Sequence, residues 1–103
     1  MLLKMTKEHI ANIKYVADML RLMGNKKTFL ILQIICDSKG IYVTELSIKA
    51  NLFQTEVSSI LSKLRRYGIV KCTHESKLRK YEINHRRFEH IAVTIKNYVN
   101  TIS

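Results

Sequence analysis

At 103 residues, 47% of them hydrophobic, the chain has material for one domain with an ordinary core and little room for an elaborate catalytic cleft. Eighteen Lys and Arg against eight Asp and Glu give a net charge of +10, a field that attracts phosphate polymers or anionic membranes. The longest apolar run, residues 29–36, is broken by Gln33 and is too short to cross a bilayer, and Met1-Leu2-Leu3-Lys4 is not the start of a secretory leader. A cytoplasmic chain with no membrane partner is expected. There, Cys36 and Cys72, too few for a disulfide framework, would remain thiols.

Proline is absent, and the three glycines, Gly24, Gly40 and Gly68, each separate two periodic segments. Residues 6–23 place Ile10, Ile13, Ala17 and Leu20 at helical spacing, with Val16 and Met23 alongside. Thr6 is the expected N-cap, and Gly24 the expected left-handed stop. Asn25 caps a second helix predicted to reach Ser38. Its stretch from Phe29 to Cys36 is apolar nearly all round, which predicts a central helix wrapped by the others. Ile41, Tyr42 and Val43 predict one short strand. Thr44 then caps a third helix ending at Ala50, and Asn51 suits a tight turn because Asn tolerates positive φ.

A fourth helix, 54–67, carries Val57, Ile60, Leu61 and Leu64 at i, i+3, i+4, i+7, with Arg65 and Arg66 in its last turn and Gly68 as its stop. The period then changes to two. Val70 and Cys72, then Tyr81 and Ile83, alternate with polar residues on either side of Glu75-Ser76-Lys77, which predicts a hairpin. The helical period returns in the tail, where Phe88, Ile91, Ala92, Ile95, Tyr98, Val99 and Ile102 form one stripe. The expected architecture is a single domain spanning 1–103, mainly α with a small β-hairpin, in the order α-α-(β)-α-α-β-β-α.

Two short helices joined by three residues, the second amphipathic, make a helix-turn-helix. Leu46, Ala50 and Leu52 can pack against Val57, Leu61 and Leu64. The opposite face of the second helix offers Gln54, Thr55, Glu56, Ser58, Ser59, Ser62, Lys63 and Arg66, small polar or basic groups suited to the major groove of double-stranded DNA. Thr44 stands at the start of the first helix of the pair. Lys77, Arg79 and Lys80 near the hairpin tip can reach a neighbouring phosphate.

Over most of its length the sequence resembles the ArsR/SmtB-like family of winged-helix repressors. Met23-Gly24-Asn25 followed by Phe29-Leu30-Ile31-Leu32 is similar to the family's approach to its second helix, and Val43-Thr44-Glu45-Leu46 to the start of its third. Residues 52–70 resemble, without gaps, its recognition helix and the approach to its wing, and residues 77–84 the wing's return strand. The resemblance implies a winged helix-turn-helix, a dimer built from the first and last helices, and repression relieved by a signal. The family commonly has Ser where Phe53 stands. Phe53 cannot cap, so either Thr55 starts the helix later or a backbone N–H is left to water.

The stripe on the last helix needs a partner. An isologous interface is expected from Phe88, Ile91, Ile95, Tyr98, Val99 and Ile102 together with Ile13, Val16 and Leu20 of the first helix, matching a two-fold protein that reads two half-sites. The stretch equivalent to the family's thiol metal site, residues 45–50, has no cysteine. His85 and His90 stand five apart, not the four that places two ligands on one helical face, so neither a metal nor another cofactor is expected. Cys36 and Cys72 are expected as small hydrophobes in the core, not as a redox switch. Neither a Ser/His/Asp set nor a Gly-rich phosphate loop is visible, so the chain is expected not to be an enzyme. The alternative is a winged helix that contacts another protein without specific DNA binding. The effector, if any, is unknown from sequence.

Overall fold

The computed structural model describes residues 7–102. Its elements run α1 (Lys7–Met23), α2 (Lys26–Cys36), β1 (Ile41–Tyr42), α3 (Val43–Ala50), α4 (Gln54–Arg66), β2 (Val70–Glu75), β3 (Leu78–Ile83) and α5 (His85–Ile102). The three strands form one antiparallel sheet in the order β1-β3-β2. This is the expected order of elements. No helix among the described residues is long and apolar enough to cross a membrane.

The helix ends follow from local chemistry, with some departures from expectation. Thr6, the expected cap of α1, lies outside the described residues. Gly24 is not left-handed; the glycines with positive φ are Gly40 and Gly68. Only Gly24 and Asn25 separate α1 from α2, so Gly24 continues the turn of α1, its N–H donating to the Leu20 carbonyl at 2.8 Å. Asn25 caps α2 as expected, its side-chain oxygen accepting from the N–H groups of Lys27 at 3.1 Å and Thr28 at 3.3 Å. That helix stops at Cys36 instead of Ser38, because the Ser38 hydroxyl turns back to donate to the Ile35 carbonyl.

The core is drawn from every element. Met19, Ile31, Ile35, Ile41, Leu46, Val57, Leu61, Leu64, Ile69 and Val70 are its fully buried large side chains. At about 1.5–3 kcal/mol for each buried aliphatic side chain, this cluster is the main force holding the helices together. α2 contributes Thr28, Ile31, Leu32 and Ile35 but is not wrapped all round: Phe29 and Leu30 are exposed on its outer side. The thiols also depart from the core assignment. Cys36 is exposed and Cys72 half-buried.

Ile41 pairs with Tyr81 and Tyr42 with Lys80, so β1 stops one residue earlier than expected and Val43 already belongs to α3. Tyr42, not Thr44, is the N-cap of α3, without a side-chain capping bond. Asn51 takes the left-handed conformation at φ 55°. With no glycine available, the two-residue hairpin turn between Glu75 and Leu78 places Ser76 at φ 59°.

Candidate nucleic-acid interface

α4 is positioned by its apolar side. Val57, Leu61 and Leu64 are buried against the body, and Ile60 is half-buried at the edge. The α3–α4 turn is fixed from within by Ser47, a buried residue whose hydroxyl donates to the Leu52 carbonyl at 2.5 Å. Phe53 is the N-cap of α4 and makes no side-chain capping bond, so α4 starts at Gln54 and is not delayed to Thr55. Its first turn is linked to α3 by the Gln54 amide, which donates to the Thr44 hydroxyl at 3.4 Å.

The side of α4 facing away from the core is open. Gln54, Thr55, Ser58, Ser59, Ser62, Lys63 and Arg66 are all exposed, as is Thr44 on α3. Glu56 is brought to the same surface but is already engaged, with the Lys27 ammonium 2.8 Å from its carboxylate. An exposed ion pair of this kind is weak, at most about 1 kcal/mol, so it biases Glu56 without locking it. Lys27 was not foreseen as part of this surface, nor was Arg21. Both line an open groove of about 410 Å³ beside Ser59 and Lys63, where the α1–α2 connection meets α4. No local pattern in the sequence marks them; tertiary packing brings them there.

On the hairpin, Lys77 and Arg79 are exposed near the tip. Lys80 is placed differently. Its methylenes lie over Gly40, where a Cβ would overlap them, and its ammonium stands 3.6 Å from the Glu75 carboxylate. Glu75 also accepts a 2.7 Å hydrogen bond from the Tyr42 hydroxyl. That bond, with the Lys80 charge second, holds the Glu75 carboxyl below its usual range. Lys80 is therefore turned along the sheet, while Lys77 and Arg79 project from it.

The expected self-association surface is divided. Val16 and Ile91 lie inside the chain's own core, because α5 packs back on α1. Phe88 is half-buried against that core. The side chains of Tyr98 and Ile102 lie outside the described residues. Leu20, Ile95 and Val99 are exposed and Ile13 is half-buried. Ile13, Val16, Ala17, Leu20, Thr94 and Ile95 line an apolar groove of about 200 Å³ between α1 and α5. Ile10, a member of the α1 stripe, and Val93, beside the α5 stripe, are also exposed on these two helices, though neither is among the expected interface residues.

Among the described residues no three His, Cys, Asp or Glu side chains gather into a group able to hold a metal ion. Partial burial and the neighbouring Asp37 carboxylate push the Cys36 thiol up, which makes it a poorer nucleophile than an ordinary cysteine.

A buried-faced helix pair followed by a hairpin with basic side chains near its tip defines a winged helix-turn-helix domain. Solved structures similar to it include transcriptional regulators, among them an ArsR-like one from Rhodococcus with a TM-score of 0.81 at 12% identity, over 88% of this chain and 85% of that one. NolR from Sinorhizobium fredii superposes with a TM-score of 0.72 at 23% identity, over 94% of this chain and 97% of NolR. Reduced HlyU from Vibrio cholerae has a TM-score of 0.69 at 26% identity, over 90% of this chain and 98% of HlyU. A homodimeric winged helix-turn-helix DNA-binding domain from Mycobacterium bovis, a possible ArsR-family regulator, has a TM-score of 0.72 at 17% identity, over 96% of this chain and 91% of that one. No protein-family model and no curated protein matches the sequence. The likeness is carried by the fold.

Proposed function

We propose that this chain is an ArsR-type transcriptional regulator: a cytoplasmic homodimer that binds specific double-stranded DNA sequences and acts as a repressor. The observation that carries it is the division of α4 into a buried side, Val57, Leu61 and Leu64, and an exposed side of hydroxyl, amide and cationic groups. Hydroxyl and amide side chains on a projecting helix can approach base edges closely and exchange hydrogen bonds with them. Lys63 and Arg66 on that helix and Lys77 and Arg79 on the wing would contact phosphates, supported by the net charge of +10. The homodimeric neighbour from Mycobacterium bovis and the apolar groove between α1 and α5 support a two-fold assembly, which would set two copies of α4 on successive half-sites. The regulators among its neighbours also support a binding role over an enzymatic one.

The test is selection of bound duplexes from a random pool, followed by affinity measurements on the selected sequence across salt concentrations. Phosphate contacts release counterions, so binding should weaken steeply as salt rises. An enriched motif with that salt dependence supports the proposal. A chain that enriches no motif would instead be a winged helix used for contact with another protein.

A further inference from the structure

We propose that Phe53 and Ile48 form an apolar reader of thymine methyl groups at the tip of the helix-turn-helix, so that the protein selects duplexes by C5-methyl contact as well as by hydrogen bonding. The inference rests on the DNA-binding function proposed above and adds a specificity determinant to it.

Phe53 is 77% exposed and Ile48 is 74% exposed, the two highest values for large hydrophobic side chains among the described residues. Scattered apolar residues on a surface need no explanation. These two are not scattered. They line one open depression of about 430 Å³, together with Ser47, Asn51, Leu52 and Glu56. Its floor is rigid, because the Ser47 hydroxyl holds the Leu52 carbonyl and Asn51 fixes the turn. The backbone that carries the two side chains is therefore in place before a ligand arrives, which spares the cost of ordering it.

The position selects the ligand. Phe53 immediately precedes Gln54 at the N-terminal end of α4, and recognition helices contact base edges with their N-terminal residues. An N-cap is also where Ser, Thr, Asp or Asn would bond a free backbone N–H, which Phe53 does not do. Its ring thus serves neither the helix end nor the core. Of the four base pairs, only those with thymine present a methyl group in the major groove, and Phe is among the side chains that meet it. The carboxylate lining the depression, Glu56, is drawn to Lys27, which reduces its repulsion of an approaching phosphate backbone. Adjacent Lys49 is exposed, so the apolar pair sits in surroundings suited to a polyanion.

The experiment uses the full chain and its own selected duplex, synthesised once with thymine and again with uracil, which lacks the methyl. Wild type should bind the uracil duplex more weakly, by about fourfold for each contacted methyl, the affinity equivalent of one buried methyl group. Phe53→Ser combined with Ile48→Ser, two exposed substitutions that remove both apolar groups, should bind the two duplexes with the same affinity. Replacing thymines one at a time should confine the wild-type loss to one or two positions per half-site. Equal wild-type affinity for both duplexes would overturn the inference while leaving DNA binding intact. So would an equal loss in wild type and the double variant, since that reports duplex shape instead of contact. Failure of wild type to bind any duplex would remove the function itself and this inference with it.

Discussion

Tyr15 of α1 donates its hydroxyl hydrogen bond to the main-chain carbonyl of Tyr67, the C-cap of α4, at 2.8 Å. The two rings lie 5.7 Å apart, and the Arg87 guanidinium of α5 stands 5.6 Å from the Tyr15 ring centre. The far end of the polar helix is thus tied to α1, and through the Tyr15 ring to α5, the two helices that line the apolar groove. Tyr15→Phe keeps the ring packing and removes one partner of the Tyr67 carbonyl. It should lower stability by about 1 kcal/mol in urea unfolding, the usual worth of one such bond. Unchanged stability would show the bond to be dispensable.

The wing residues should separate by role. Lys77→Ala combined with Arg79→Ala should weaken binding to related and unrelated duplexes by similar factors. It should also reduce the slope of log affinity against log salt by about two, one for each lost phosphate contact. Lys80→Ala should leave that slope nearly unchanged, because its ammonium faces Glu75 and its stem covers Gly40. A salt slope that falls with Lys80→Ala would show that the side chain swings out to the phosphates.

The helix caps predict stability changes of opposite sign. Asn25→Ala removes the acceptor for the Lys27 and Thr28 N–H groups and should cost about 1 kcal/mol. Phe53→Ser provides α4 with the acceptor it lacks and should add a comparable amount. In thermal unfolding the midpoints should move by about 4–8 °C in opposite directions for a domain of this size. A fall with Phe53→Ser would mean that the ring packs more than its exposure indicates.

Acid should loosen the tip of the wing where it is tied to β1. Glu75 is held below its usual range by the Tyr42 hydroxyl and the Lys80 charge, so its carboxylate contribution is fully present above the ordinary carboxylate pKa. It is lost as pH falls through the lower, folded value. An NMR titration of the Glu75 carboxyl should show the depressed midpoint, and Tyr42→Phe should move it upward. An unmoved midpoint would assign the depression to Lys80 alone.

Association should depend on the groove between α1 and α5. Ile95→Glu would place a charge among Ile13, Ala17 and Leu20, where the lining is apolar. Sedimentation should then report monomers, with weakened binding to DNA carrying two half-sites. An unchanged dimer mass would place the interface elsewhere.

Features governed by neighbours in sequence were legible before the fold was known. Asn25, Asn51 and Gly68 act within a turn of their own position, and the 3.6-residue period of Val57, Leu61 and Leu64 marks the buried side of α4. Gly24 was misread because its conformation depends on how soon the next helix begins. The ion pairs of Lys80 and Glu56 were not legible for a different reason. Their partners lie across the sheet or on another helix, beyond any local pattern. Val16 and Ile91 show the limit of periodicity: a stripe identifies apolar residues but not which of them the chain keeps for itself. Exposed Phe29, Leu30 and Phe53 show the same limit from the other side, since hydropathy does not reveal where a fold leaves apolar groups uncovered.

Tyr42 ends β1 and is at once the N-cap of α3, while its hydroxyl bonds the last residue of β2. No spacer stands between the sheet and the helix pair, so there is no hinge at which the hairpin could pivot independently of α3. The span between the two sets of basic groups behaves as a fixed gauge, set once by the backbone at a single tyrosine. Residues inserted at the solvent-exposed 76–77 turn would lengthen that reach without disturbing a packed neighbour.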